Sequence, residues 1–308
     1  MESTQLAAKA RCPRWPMLGV AAVVLWCCRP GPSWSATEAA DTATASIAAD
    51  APHASVGFGA ARPFRNALPP PVVEAQSQAE YDRVLTRARA AGLLLPDDDA
   101  RVMRLRALLA KLSPFAAKWS DRAKNWQWEI SVVRSNDARM VSLPSGKLIV
   151  YSALTQHIRL TDDELAMLFG HEMAHALREQ VREELGEQSA PFGSVALSRL
   201  FGVTEFGNAS APAPAAPLTG IEFDAIDETE ADVIGTDIAA RAGFDPRAAI
   251  ALWDKLALAA RGGGTGSFMA MHPYTTARRQ DLVKRLPDML ALYTKARAVA
   301  GARIRISH

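Results

Sequence analysis

Cysteine is scarce in this chain: its three cysteines, Cys12, Cys27 and Cys28, all lie near the N-terminus. A chain cleaved after Ser35 would contain no thiol. That excludes disulfides, a cysteine nucleophile and cysteine metal ligands from the remaining sequence. Such a composition is compatible with an oxidising compartment.

Long apolar runs are also missing. The run Trp15–Cys28 has the length of the hydrophobic region of a signal peptide and is short for a membrane-spanning helix. Basic residues precede it, and small residues at Ser33 and Ser35 suit cleavage after Ser35. We therefore expect residues 1–35 to be a signal peptide and the protein to reach the periplasm or cell envelope. Two alternatives are retention as an N-terminal anchor and acylation of Cys28 as in a lipoprotein.

Features of nucleic-acid and nucleotide binding are lacking as well. The formal net charge is only +2, and no basic cluster resembles a nucleic-acid footprint. The run Gly262–Gly266 lacks the Gly-Lys-Ser/Thr sequence of a phosphate loop, so we interpret it as a flexible connector. The sequence therefore predicts no nucleic-acid partner.

Composition divides the rest of the chain into a linker and a domain. Residues 36–73 are rich in Ala, Thr, Ser and Pro, which predicts a disordered linker. Residues 74–308 are predicted to form one domain. Within it, residues 187–220 are interpreted as a mobile lid or flexible loop, with peripheral contact to a membrane as one use.

The most informative motif is Gly170–His175, which contains the H-E-x-x-H pattern of zinc-dependent hydrolases. Residues four apart on a helix lie on one face, so His171 and His175 can bind a single ion. Glu172 is turned by roughly 100° from His171, beside the metal. It is therefore placed to act as the general base that takes a proton from water at the metal.

The local sequence predicts a helix around this motif. Thr161 and Glu164 fit a capping box, and the acidic first turn suits the positive end of the helix dipole. Apolar residues follow at helical spacing, and the sequence then becomes polar from Arg178 onwards. We expect the helix to end near Gly186.

The third metal ligand has to come from another segment. An extended motif with a third histidine downstream is excluded, because Arg178 and Val181 occupy the corresponding positions. A carboxylate from a second helix would complete a set of two histidines and one glutamate, leaving a fourth position open.

A second helix is predicted over residues 223–242, ending before Gly243. Glu228 and Asp232 share one of its faces, so Glu228 can bind zinc while Asp232 accepts a hydrogen bond from a ligand histidine. Glu230, turned about 200° from Glu228, is the rival ligand. A solvated acidic face is the alternative without a metal. Asp245 and Pro246 are expected to open a further helix as N-cap and first residue.

Several segments resemble those of the HtpX, CAAX-prenyl-protease and BepA-like gluzincins, metallopeptidase family forty-eight. They are Pro144–Tyr151, Gly170–His175, Glu228–Gly235, Ala242–Pro246 and His272–Arg278, in the order of the family. The resemblance covers about residues 75–290. It implies that Glu228 is the zinc glutamate and Asp232 the supporting aspartate.

The resemblance also implies roles beyond the ligand set. His272 would lie near the metal, either stabilising the oxyanion as a catalytic residue or blocking the open position, and Arg278 would be a structural partner. An exposed edge strand would bind the substrate peptide as an additional strand, and its residues are Met140, Val141, Ser142 and Leu143. The chain departs from the family at Arg139, Met140 and Ala153, which bears on substrate preference.

The expected fold class is α+β: a mostly helical, zincin-like metalloprotease domain with a small sheet or hairpin beside the active-site helix. Helices are predicted over about 76–94, 98–112 and 114–124, and strands over 127–133, 139–143 and 147–151. Trp126 and Trp128 are interpreted as packing residues.

The sequence thus predicts an exported zinc endopeptidase with one Zn²⁺ per chain. The resemblance implies that its partners are unfolded or misfolded envelope proteins, in an envelope quality-control role. The alternative is a chaperone-like binder of such proteins, in which the zinc is structural or blocked by His272.

Overall fold

The computed structural model describes residues 68–183, 223–262 and 265–306. The predicted signal peptide, nearly all of the predicted linker and the predicted lid at 187–220 lie outside these ranges. Within them, no helix combines the length and the apolar character needed to cross a membrane. The helices are α1 (Pro70–Ala90), α2 (Ala100–Leu112), α3 (Ala153–Gln156), α4 (Asp162–Leu177), α5 (Ala225–Arg241), α6 (Ala248–Arg261), α7 (Gly266–Met271) and α8 (Thr276–Ile306), and the strands are β1 (Glu129–Val133), β2 (Met140–Leu143) and β3 (Lys147–Tyr151).

The N-terminal helices differ from the prediction at their ends. Helix α1 begins at Pro70, inside the stretch expected to be linker. Proline suits this position because the first turn of a helix leaves its N–H groups unpaired. Helix α2 begins after Asp99, whose side chain accepts a hydrogen bond from the N–H of Arg101.

The prediction of one helix over 114–124 is wrong. Two short 3₁₀ helices, Ser113–Lys118 and Arg122–Asn125, occupy this stretch instead. Lys118 and Trp119, at the end of the first, both donate to the carboxylate of Asp237 on α5. These hydrogen bonds to α5 hold Lys118 and Trp119 in place of the backbone hydrogen bonds that would continue an α-helix.

The small sheet has the strand order β1–β3–β2. Strands β2 and β3 form an antiparallel hairpin, and its loop contains Ser145 and Gly146 with φ of 71° and 82°. Strand β1 pairs with β3 in parallel, a pairing that the sequence did not predict. Among the described strands, β2 pairs with β3 alone, so it is an edge strand, but its four residues are all buried rather than exposed.

Helices α5 and α6 are joined by a tight turn. Gly243 follows α5 with φ of 88°, which confirms the predicted glycine stop. The predicted start of the next helix was too early, because α6 begins at Ala248. Asp245 instead accepts from the N–H of Arg247 in the turn that precedes the helix.

The closest contact in the core is between the backbones of α4 and α5. A Cβ atom added to Gly170 would lie 2.4 Å from the carbonyl oxygen of Gly235, and one added to Gly235 would lie 2.4 Å from the nitrogen of His171. These distances are too short for any side chain. The two glycines therefore let the helix carrying the H-E-x-x-H motif lie against the helix carrying Glu228.

We expect Gly170→Ala to lower the free energy of unfolding by about 3 kcal/mol or more, because the added methyl group must push two backbones apart. Chemical denaturation measures the loss. Gly266→Ala is the matched control, since a Cβ at Gly266, the first residue of a helix, meets no atom within 4 Å. Equal stability of the two variants would contradict the close contact.

Candidate metal centre

Helix α4 begins as the sequence predicts. The hydroxyl of Thr161 accepts from the N–H of Glu164, and the carboxylate of Glu164 accepts from the N–H of Thr161, at 3.2 and 2.8 Å. This capping box fixes the first residue of the helix. It thereby sets the face on which His171 and His175 lie, about two and a half and three and a half turns later.

Four buried donor groups converge beside this helix: His171, His175, Glu228 and His272, with ligand atoms all within 4.8 Å of one another. The Nε2 atoms of His171 and His175 are 3.0 Å apart. Oxygens of Glu228 lie 3.6 Å from His171 and 3.5 Å from His175. Nδ1 of His272 lies 3.3 Å from Nε2 of His171 and 2.9 Å from Oε1 of Glu228.

These spacings fit a tetrahedral metal ion. Zn–N bonds of about 2.0–2.1 Å place the corners of the tetrahedron about 3.3 Å apart, and the five distances here run from 2.9 to 3.6 Å. Imidazole nitrogens with one carboxylate are also a donor set that zinc binds. The residues present therefore fit a zinc ion.

The two candidate glutamates of α5 face in different directions. Glu228 is 1% exposed and lies among the imidazoles. Glu230 instead accepts from Nε of Arg178 at 2.8 Å, at the end of α4. The helical geometry separates them as the sequence predicts, and it brings Glu228 to the cluster.

Asp232 lies beneath His171 and connects four segments. Its carboxylate accepts from Nδ1 of His171 at 3.0 Å, from the indole of Trp253 at 3.0 Å and twice from the guanidinium of Arg278 at 2.8 Å. Because Nδ1 of His171 donates its proton to Asp232, Nε2 keeps a lone pair for a metal. The pairing of Asp232 with a histidine was predicted, whereas the contacts of Trp253 and Arg278 with it were not.

Helix α4 does not continue to Gly186 as predicted; it ends at Leu177. Glu179 then takes a left-handed conformation, with φ of 56°. The turn brings the amide oxygen of Gln180 to 2.6 Å from Nδ1 of His175. The sequence analysis missed Gln180, because neither glycine nor proline marks the break.

Phe223 is a second residue that the sequence analysis missed. Its ring stacks on the imidazole of His175, with centroids 3.8 Å apart and planes 10° from parallel. It lies immediately before the capping residue of α5, Asp224. An aromatic residue at a helix start gives no sequence signal of such a contact.

Glu172 lies at the edge of the cluster, with its Oε1 3.3 Å from Nε2 of His272. Burial and the charge of Glu228 raise the pKa of Glu172 well above its usual value. A carboxylate with a raised pKa accepts a proton more readily than one in water, which suits a general base.

Burial also governs the charge of the other groups. It lowers the pKa of His171 and His175 well below the usual value and that of His272 to about 3, so the imidazoles are neutral at neutral pH. Burial raises the pKa of Glu228 to about 7, opposed by His175 and Arg278. Neutral imidazoles beside buried carboxylates are the charge state that a metal dication requires.

The fold and the donor set are those of a zincin-like metallopeptidase domain. The family model "Peptidase family M48" matches residues 100–286. The chain therefore belongs to peptidase family M48, in agreement with the resemblance found in the motifs.

The chain is similar to mitochondrial metalloendopeptidases and to β-barrel assembly-enhancing proteases. The mitochondrial metalloendopeptidase OMA1 of Saccharomyces cerevisiae is 31% identical over 185 residues, 55% of this chain and 50% of that protein. The protein of the same name from Arabidopsis thaliana is 29% identical, over 56% of this chain and 34% of its own length. The β-barrel assembly-enhancing protease of Escherichia coli is 28% identical, over 51% and 34%. The chain spans a third to a half of the length of these relatives.

We expect Glu228→Gln to weaken zinc binding more than about a hundredfold, since loss of a mere partner of a ligand already costs 10–100-fold. Glu230→Gln, two residues away on the same helix, should bind zinc like the wild type. Competition with a chromogenic chelator measures both affinities. The reverse order would identify Glu230 as the ligand.

Proposed function

We propose that this protein is an exported zinc endopeptidase that hydrolyses unfolded or misassembled envelope proteins. The observation that supports it most strongly is the buried cluster of His171, His175, Glu228 and His272 with the carboxylate of Glu172 beside it. A metal dication and a carboxylate base can together activate water for hydrolysis of a peptide bond.

His171, His175 and Glu228 would hold the zinc ion. When bound there, zinc supplies Lewis acidity, which polarises a carbonyl and makes water acidic enough to lose a proton near neutral pH. Asp232 keeps His171 oriented through the bond to Nδ1. Burial raises the pKa of Asp232, and the guanidinium of Arg278, which is paired with this carboxylate, opposes that rise.

Glu172 acts as the general base in this proposal. Its carboxylate takes a proton from the attacking water and later delivers it to the amine that leaves. Both transfers need a group whose pKa lies closer to neutrality than that of an exposed glutamate. Burial next to Glu228 shifts the pKa of Glu172 in that direction.

His272 occupies the fourth corner of the donor set. Its Nδ1 lies 2.9 Å from Oε1 of Glu228 and its Nε2 lies 3.3 Å from Oε1 of Glu172, so each ring nitrogen faces a carboxylate oxygen. We propose that His272 fills this corner in the resting site and turns away when a substrate binds. The competing role, stabilisation of the oxyanion, would keep the imidazole close to the reacting carbonyl.

Strand β2, with Met140, Val141, Ser142 and Leu143, is the proposed binding edge for the substrate. It pairs with β3 on one side and packs beside α4. An extended peptide on this edge would be held by main-chain hydrogen bonds, which gives binding that tolerates many sequences. Because these residues are buried, substrate binding would require the strand to be uncovered.

The proposed substrates and location draw on the relatives and on the predicted leader. One group of relatives is named for enhancing β-barrel assembly and the other for a mitochondrial location. A periplasmic or envelope location follows from the predicted signal peptide of residues 1–35. The alternative is a chaperone-like binder, which the occupation of the fourth corner by His272 favours.

We expect Glu172→Gln to lower the rate of cleavage of an unfolded, casein-type substrate by about a hundredfold to ten-thousandfold, because the proton acceptor is lost. Zinc content should stay at the wild-type level. Glu129→Gln, on an exposed position of β1, is the control. Cleavage by Glu172→Gln at the wild-type rate would show that the hydrolase mechanism is wrong, and binding without cleavage by the wild type would support the chaperone alternative.

His272→Ala distinguishes the two roles of His272. If the imidazole blocks the fourth position, its removal should raise the steady-state rate on the same substrate severalfold. The rate and the zinc content are measured on the same preparation. A fall in rate at unchanged zinc content would instead assign His272 to stabilisation of the oxyanion.

A further inference from the structure

The contact between Gln180 and His175 supports an inference beyond the ligand set. Gln180 is 3% exposed and lies just past the end of α4, where the left-handed Glu179 turns the chain back. Its amide oxygen is 2.6 Å from Nδ1 of His175. Strong hydrogen bonds between buried groups fix the positions of both partners.

The other end of the same amide determines which way it points. Nε2 of Gln180 lies 3.0 Å from Oδ1 of Asp227 and 3.5 Å from the main-chain carbonyl of Asp227. A main-chain carbonyl and an ionised carboxylate only accept hydrogen bonds, so the NH₂ group of Gln180 must face Asp227. The amide oxygen must then face His175.

This orientation determines the tautomer of His175. An amide oxygen can only accept, so Nδ1 of His175 must carry the proton and donate it. The lone pair is then on Nε2, the atom that lies 3.0 Å from Nε2 of His171. This is the tautomer that a metal at the cluster requires.

We propose that Gln180 is a positioning residue of the metal centre. Asp227 fixes the direction of the Gln180 amide, and the amide oxygen in turn holds the imidazole of His175 in its metal-binding tautomer. The inference rests on the proposed function, because it concerns the same zinc site. Asp227 directly precedes Glu228 on α5, so the bridge also ties the histidine of one helix to the helix that supplies the carboxylate.

The two ligand histidines are therefore held by different chemistry. Asp232 holds His171 with a carboxylate, whereas Gln180 holds His175 with a neutral amide. Glu172, Glu228 and Asp232 already bring three carboxylates to the centre. A neutral partner orients His175 without adding a fourth buried negative charge, which would be costly.

The test measures the zinc affinity of the metal-free protein by competition with a chromogenic chelator. Gln180→Met keeps the length of the side chain but neither donates nor accepts strongly, and we expect affinity to fall about 10–100-fold. Gln78→Met, at a surface position on α1 where Gln78 bonds Asp82, is the matched control and should bind like the wild type. Gln180→Glu retains an acceptor for Nδ1 but loses the NH₂ group that faces Asp227 and adds a buried carboxylate, so its affinity should lie between those of Gln180→Met and the wild type.

A second measurement separates positioning from a merely structural role. Nitrogen-15 NMR of the histidine rings in the metal-free protein should show His175 protonated on Nδ1 in the wild type and as a mixture of tautomers in Gln180→Met. If Gln180→Met does not fold, Gln180→Glu is compared with the wild type by the same spectra, and Nδ1 should stay protonated.

Two results would overturn the inference in distinguishable ways. Tight zinc binding by the wild type and equally tight binding by Gln180→Met would reject the role of Gln180 alone. A wild-type protein that binds no zinc would reject the proposed function and this inference with it.

Discussion

The backbone contact between Gly170 and Gly235 is the constraint on which the rest of the structure depends. Neither position has room for a Cβ atom, so helices α4 and α5 lie closer than helices with larger residues at the contact could. One residue beyond Gly170 is His171, and two turns before Gly235 is Glu228. The glycine contact therefore sets the distance between the imidazoles and the carboxylate that share the proposed metal site.

Next to this contact, the buried carboxylate of Asp232 is paired with several donors. Asp232 receives hydrogen bonds from His171, Trp253 and Arg278, and the guanidinium of Arg278 also lies over the ring of Trp253. Arg278 thus links the start of α8 to α5 and α6. Glu172 and Glu228, both with pKa values raised by burial, remain as the carboxylates that a bound cation would stabilise.

Sequence reasoning was accurate where the pattern is local. The capping box at Thr161, the glycine stop at Gly243 and the opposite directions of Glu228 and Glu230 all follow from helical periodicity and backbone preference. It failed where a distant partner decides the local conformation. Asp237 interrupts the helix predicted over 114–124, and the break before Gln180 has no glycine or proline to announce it. The parallel pairing of β1 with β3 is likewise decided by tertiary contacts rather than by the local sequence.

The central claim is that one zinc ion is held jointly by the two helices. A crystal structure of the zinc-loaded protein, with anomalous data at the zinc edge, tests it most directly. The account predicts one peak with His171, His175 and Glu228 at bonding distances of about 2.0–2.2 Å. A zinc ion found elsewhere, or one bound by the two histidines with Glu228 out of reach, would contradict it.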